Sequence, residues 1–86
     1  MSIEEVVKGF NKGLTRGNAS GGRVRIEGDK LINFDTVIAI RTDKGIKLNA
    51  RKYSRTTSKL QNKIRYYCNV VEEYQGEDAV IYSYGW

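Results

Sequence analysis

The hydrophobic pattern changes period twice along this chain, and the middle stretch constrains the fold most. From Arg23 to Asn49 apolar residues alternate with polar ones or form short β-branched runs, each cut off by a turn signal. Arg23-Val24-Arg25-Ile26-Glu27 alternates, Gly28-Asp29 turns the chain, and Lys30-Leu31-Ile32-Asn33-Phe34 returns. Thr36 to Arg41 is β-branched and mostly apolar, Thr42-Asp43-Lys44-Gly45 turns again, and Ile46-Lys47-Leu48-Asn49 follows. Such a run predicts an antiparallel meander of four strands. Its inner face would carry Val24, Ile26, Ile38, Ile40, Ile46 and Leu48, and its outer face Arg23, Arg25, Arg41 and Lys47.

Helical periods flank the meander. Ser2-Ile3-Glu4-Glu5 has capping-box spacing, and Ile3, Val6, Val7, Phe10 and Leu14 recur at helical intervals, which predicts a helix from about Ile3 to Lys12. Gly13 and Gly17 end it, and Thr15 to Gly22 reads as a mobile connection that matches no phosphate-loop fingerprint. After the meander, Ser58 and Gln61 again have capping-box spacing, with Thr57 as an alternative cap. The pattern then predicts a helix to about Tyr74, stopped by Gly76, with Leu60, Ile64, Tyr67, Val71 and Tyr74 on its core face. Asn62, Tyr66 and Asn69 fall on the opposite face. Ala79 to Trp86 alternates once more and reads as a last strand, with Tyr82, Tyr84 and Trp86 on one side. Those aromatics either dock in the core or are buried in a homo-oligomer, and the shortness of the chain favours the oligomer. The expected fold is one α+β domain over residues 1–86, ordered α-β-β-β-β-α-β, with two helices on one face of a four- to five-stranded antiparallel sheet.

Charge is distributed unevenly. Residues 41–65 hold nine of the fifteen Lys and Arg with Asp43 as their only acid, whereas residues 66–86 hold four acids and no Lys or Arg. On the second predicted helix the order opposes the helix dipole, with Arg55, Lys59 and Lys63 toward its start and Glu72 and Glu73 toward its end. An anion at the helix start would offset that arrangement. The candidate ligand-binding set is therefore Arg51, Lys52, Arg55, Lys59 and Lys63 for charge, Thr56, Thr57 and Ser58 for hydroxyl donors, the Asn62 amide, and Tyr53 and Tyr66 for stacking. Such a set suits a nucleotide, a nucleic acid or an acidic protein surface. The competing account is a solvated surface whose misplaced charges cost only a few tenths of a kcal/mol each.

The residue inventory points away from catalysis and cofactors. The chain contains no histidine, its single cysteine is Cys68, and no zinc-ligand spacing or paired-acid constellation is present. Met1 to Glu5 is acidic without an apolar core, and no long apolar run occurs, so neither secretion nor a membrane span is expected.

One segment, Tyr53-Ser54-Arg55-Thr56-Thr57-Ser58-Lys59-Leu60-Gln61-Asn62, resembles a Tyr-Ser-x-Thr-Thr-Ser-Lys-x-Gln-Asn signature of short tailed-bacteriophage proteins. The likeness is sharp over these ten residues and only topological elsewhere; Leu60 stands where the family commonly has His. It implies a small phage protein acting in the cytoplasm of an infected bacterium, and it brings no established activity. By analogy with other small phage domains it suggests counter-defence, by sequestering a nucleotide signal or occupying a nucleic-acid-containing effector such as a CRISPR complex. The alternative is a general nucleic-acid-binding accessory of phage replication or transcription.

Overall fold

The structure, a computed structural model, describes residues 1–76. It is an α+β fold in which a six-stranded sheet carries both helices on one face. In chain order the elements are α1 (Ile3–Asn11), β1 (Arg16–Ala19), a single 3-10 turn (Ser20–Gly22), β2 (Val24–Glu27), β3 (Lys30–Asn33), β4 (Thr36–Thr42), β5 (Gly45–Asn49), α2 (Arg55–Tyr67) and β6 (Val70–Tyr74). The strands lie side by side in sequence order. All neighbours are antiparallel except β5 and β6, which run parallel because α2 carries the chain back between them.

The expected meander is present, and the expected α1 starts with its capping box: Ser2 Oγ accepts from the Glu5 N–H while the Glu5 carboxylate accepts from the Ser2 N–H. One core joins the layers. Val6, Val7 and Phe10 of α1 and Leu60 and Ile64 of α2 pack against Val24, Ile26, Leu31, Ile38, Ala39, Ile46 and Leu48 of the sheet. Between β4 and β5 the turn closes on Gly45, whose φ is +142° and where a Cβ would lie 2.8 Å from the Asn69 carbonyl at the start of β6. Only a glycine lets the sixth strand approach this turn.

Four expectations are corrected. The connection expected as a mobile loop contains β1, which pairs with β2 from Arg16 opposite Glu27 to Ala19 opposite Val24. Its residues are small and polar, so backbone pairing makes the strand without a hydrophobic pattern, and only Ala19 is buried.

A β-bulge changes the face assignment in β4. Leu31 pairs with Ala39 and Ile32 with Val37, leaving Ile38 as the extra residue, so Ile38 and Ala39 both enter the core. Beyond the bulge the faces exchange. Ile40 moves to the outer face opposite Lys47, and Arg41 moves to the inner face opposite Ile46. There Arg41 clamps three carbonyls: Nη1 donates to Phe10 O (2.6 Å) and Leu14 O (3.1 Å), and Nη2 donates to Gly28 O (2.9 Å). Its guanidinium also lies 4.8 Å from the Phe10 ring centroid, so this cation closes the end of α1 and is not part of an outer basic surface.

The second helix is displaced toward the N-terminus at both ends. Its N-cap is Ser54, whose Oγ accepts from the Thr57 N–H, in place of the expected Ser58 or Thr57. It ends at Tyr67, with Cys68 already extended, in place of Tyr74. Val70 to Tyr74 instead form β6, which adds a parallel edge strand to β5 and places Val71 on the surface. The strand expected over Ala79 to Trp86, and with it the aromatic face of Tyr82, Tyr84 and Trp86, lies outside the described residues.

Candidate functional site

The earlier start of α2 redistributes the candidate residues between interior and surface. At 100° per residue, Thr57, Leu60, Gln61 and Ile64 fall on one side of the helix, and all four are buried. Thr57 is 5% exposed, with its Oγ1 accepting from Asn33 Nδ2 (2.9 Å) and from Ser54 Oγ (3.1 Å), so the hydroxyl proposed as an anion donor is a fastener between α2 and β3. Gln61 is not half of a capping box. Its Nε2 donates to the main-chain carbonyls of Asn49 (2.7 Å) and Arg51 (2.9 Å), tying the loop before the helix to the helix itself.

The same interior network absorbs Tyr53 and Arg51. Asn49 is 1% exposed and its side chain makes four hydrogen bonds: Nδ2 donates to Val37 O and to Tyr53 Oη, and Oδ1 accepts from the Arg51 and Gly76 N–H groups. An asparagine amide has about four hydrogen-bonding positions, so this one is saturated. Tyr53 packs against the core, and Arg51 Nη1 donates to Gly76 O at 3.1 Å. Neither presents itself as an open stacking face or a free cation. Lys52 and Thr56 are exposed, and Ser58 is half-buried beside them.

What remains of the set gathers on the opposite side of α2. Arg55, Lys59, Asn62, Lys63 and Tyr66 recur at three- and four-residue steps and fall within roughly 100° of the helix circumference, by the same geometry. Lys59, Asn62, Lys63 and Tyr66, together with Tyr67, line an open groove of about 350 Å³. Among the described residues Arg55, Lys59 and Lys63 enter no ion pair, whereas Arg65 is engaged by Glu73 (3.0 Å) and Lys47 by Glu72 (3.7 Å). The reversed charge order therefore survives only in part. The first turn of α2 has no acid and begins with Arg55, but its last turn carries Arg65, which the dipole favours, while Glu72 and Glu73 belong to β6.

Three contributors to this site were not foreseen: Tyr67, Glu4 and Lys8. Tyr67, expected on the core face, does pack against the core, half-buried at the junction of the two helices, where its hydroxyl also donates to Glu4 Oε2 at 2.6 Å and the Lys8 ammonium lies 4.8 Å from its ring centroid. Tyr66 meets Tyr67 edge to face, with centroids 4.8 Å apart and planes at 89°. The Tyr67 hydroxyl, followed by Lys63 and Lys8, holds the Glu4 carboxyl below the ordinary carboxylate range, and the same bond raises the Tyr67 phenol. Glu4 thus sits as a fixed negative charge beside the cations of the groove. No sequence signal could have found this trio, because it depends on how α1 lies against α2.

Cys68 offers no reactive thiolate at neutral pH. Burial pushes its thiol up to about 11. No cluster of metal-ligating side chains occurs among the described residues, and none of their helices is long and apolar enough to cross a membrane. Comparison with protein-family models, curated proteins and solved structures finds no match to this chain.

Proposed function

We propose that this is a non-enzymatic binding module that takes the phosphate backbone of a nucleic acid along the exposed face of α2. The observation that carries the reading is the stripe itself: three cations without ion-pair partners among the described residues, one amide, and a tyrosine 81% exposed, all on one side of a single rigid helix. From Arg55 to Tyr66 such a stripe extends about 16 Å at the usual rise per residue. An isolated nucleotide favours a concave site that encloses most of its surface, whereas this groove is open, so a linear anion fits it better. Asn62 Oδ1 accepts one bond from Arg65 Nη1 at 3.0 Å, which leaves both N–H donors and one acceptor position for a ligand.

The biological setting comes from the resemblance to phage proteins. We take the module to act in the cytoplasm of the infected bacterium, against a defence effector that contains nucleic acid; a general replication or transcription accessory would use the same face. Fluorescence anisotropy of a labelled random-sequence oligonucleotide, titrated with wild type and with the Lys59→Gln, Lys63→Gln double variant, tests the binding. We expect micromolar or tighter binding at low salt and its loss in the variant. Absence of binding by the wild type in low salt at about 100 μM protein, the weak end of the range for non-specific binding at physiological salt, overturns the reading.

A further inference from the structure

The groove also selects between forms of nucleic acid, an inference that rests on the binding reading above. Contacts to phosphate need only cations and N–H donors, and in a duplex the base faces are hidden in the stack. An exposed aromatic ring on a cationic helix face can therefore offer a duplex backbone only its hydroxyl, whereas an unpaired base can stack on the ring itself. Tyr66 is such a residue, 81% exposed toward the C-terminal end of the groove that it lines with Lys59, Asn62 and Lys63.

The ring is also backed by neighbours. It stands edge to face on Tyr67 at 4.8 Å, Tyr67 is tethered through its hydroxyl to Glu4 at 2.6 Å, and Lys8 covers the Tyr67 ring from α1. A tyrosine supported in this way loses little freedom when a base stacks on it. Lys59 and Lys63 lie one helical turn apart on the same face, within about 6 Å of each other at Cβ, and so continue the groove from the ring toward the start of the helix, where the phosphates of a strand stacked on the ring would run.

We propose that the groove is a binding site for single-stranded nucleic acid, in which an unpaired base stacks on Tyr66 while Lys59 and Lys63 take the neighbouring phosphates and the Asn62 amide reaches the base edge. DNA and RNA strands share this chemistry.

The test is anisotropy at one fixed salt concentration with labelled dT15, labelled rU15 and a mixed-sequence 15-base-pair duplex, using wild type, Tyr66→Ala and Tyr66→Phe. Tyr66 is a surface residue, so both variants are expected to fold, and circular dichroism checks that they do. The expected result is that at least one single strand binds tenfold or more tighter than the duplex. Tyr66→Ala should weaken strand binding by roughly tenfold, as loss of one base stack requires, and leave the duplex unchanged, while Tyr66→Phe retains strand binding. A preference for one of the two strands assigns the sugar without altering the inference. Equal affinity for strand and duplex, or equal loss on both from Tyr66→Ala, overturns the single-strand assignment and leaves phosphate binding standing. Failure of all three probes to bind overturns both.

Discussion

Asn33 of β3 donates its side-chain amide to the buried Oγ1 of Thr57 over 2.9 Å, across 24 residues of sequence. That bond, together with the Ser54 cap, fixes where α2 begins and turns a hydroxyl that looked available to an anion into part of the interior.

Thr57→Val should therefore act on stability and not on binding. Leaving Asn33 Nδ2 buried without its acceptor costs about 1–3 kcal/mol. Urea denaturation of Thr57→Val, Asn33→Ala and the double variant should show a coupling between the two sites, while the oligonucleotide affinity of folded Thr57→Val stays within a factor of two of wild type. A tenfold loss of affinity at unchanged stability would restore Thr57 to the ligand site.

Salt dependence reports how many cations meet phosphate. Arg41 and Arg65 are engaged in the fold, so three or four contacts from Arg55, Lys59, Lys63 and one neighbour are expected, giving a log–log slope of about −2 to −3 on a single strand. Lys59→Gln and Lys63→Gln should each make that slope shallower by about 0.7. A slope steeper than −5 would require a second basic surface.

Glu4 should oppose ligand binding. Its carboxylate shares the Tyr67 hydroxyl and the field of Lys63 and Lys8, so Glu4→Gln removes a like charge from the path of the phosphates and should tighten oligonucleotide binding about two- to fivefold at pH 7 and low salt. The sign with pH follows from its lowered carboxyl value. Whatever the ionised group contributes to folding is present above the ordinary carboxylate range and is lost as the pH falls through the lowered value. Between pH 7 and pH 5 the difference between wild type and variant should hold, and it should close only as the pH falls below the ordinary carboxylate range. An unchanged or weaker affinity for Glu4→Gln at neutral pH would place the ligand elsewhere.

Cys68 should react slowly while the protein is folded. With its thiol raised from 9.0 to about 11, the thiolate fraction at pH 8 is roughly a hundredfold below that of an ordinary cysteine. Iodoacetamide labelling followed by mass spectrometry should be slow in buffer and fast in denaturant. Equal rates in the two would show an open thiol.

How much of this was legible depends on which residues had one reading. The hairpins and α1 were readable because alternation, turn residues and a capping box agreed locally. Ser54 was missed because Ser54-x-x-Thr57 and Ser58-x-x-Gln61 both look like helix starts, and the choice is made at a distance, by Asn33 and by the carbonyls that Gln61 meets. Tyr67, Val71 and Tyr74 fit a helical stripe, yet Val70 to Tyr74 also suit an edge strand, and pairing with β5 decides. The bulge at Ile38 leaves no mark in an apolar run, and it inverted Ile40 and Arg41. Of the candidate site, Lys59, Asn62, Lys63 and Tyr66 could be placed by helical spacing alone. Glu4, Lys8 and Tyr67 could not, since the angle between two helices is not written in either one.

The parallel return of β6 has a consequence for the order of events in folding. Each strand of the meander meets its neighbour through a short turn, but Ile46 meets Val70 across the whole segment that holds α2, a longer loop to close. The helix that carries the cations and the strand at the sheet edge therefore assemble as one late unit, and the first opening of the native protein should release them together. In native-state hydrogen exchange, the α2 amides and the β5 amides that face β6 should share one opening free energy, lower than that of β3 and β4. A nucleic acid bound along α2 would slow exchange in β6, a strand it never touches.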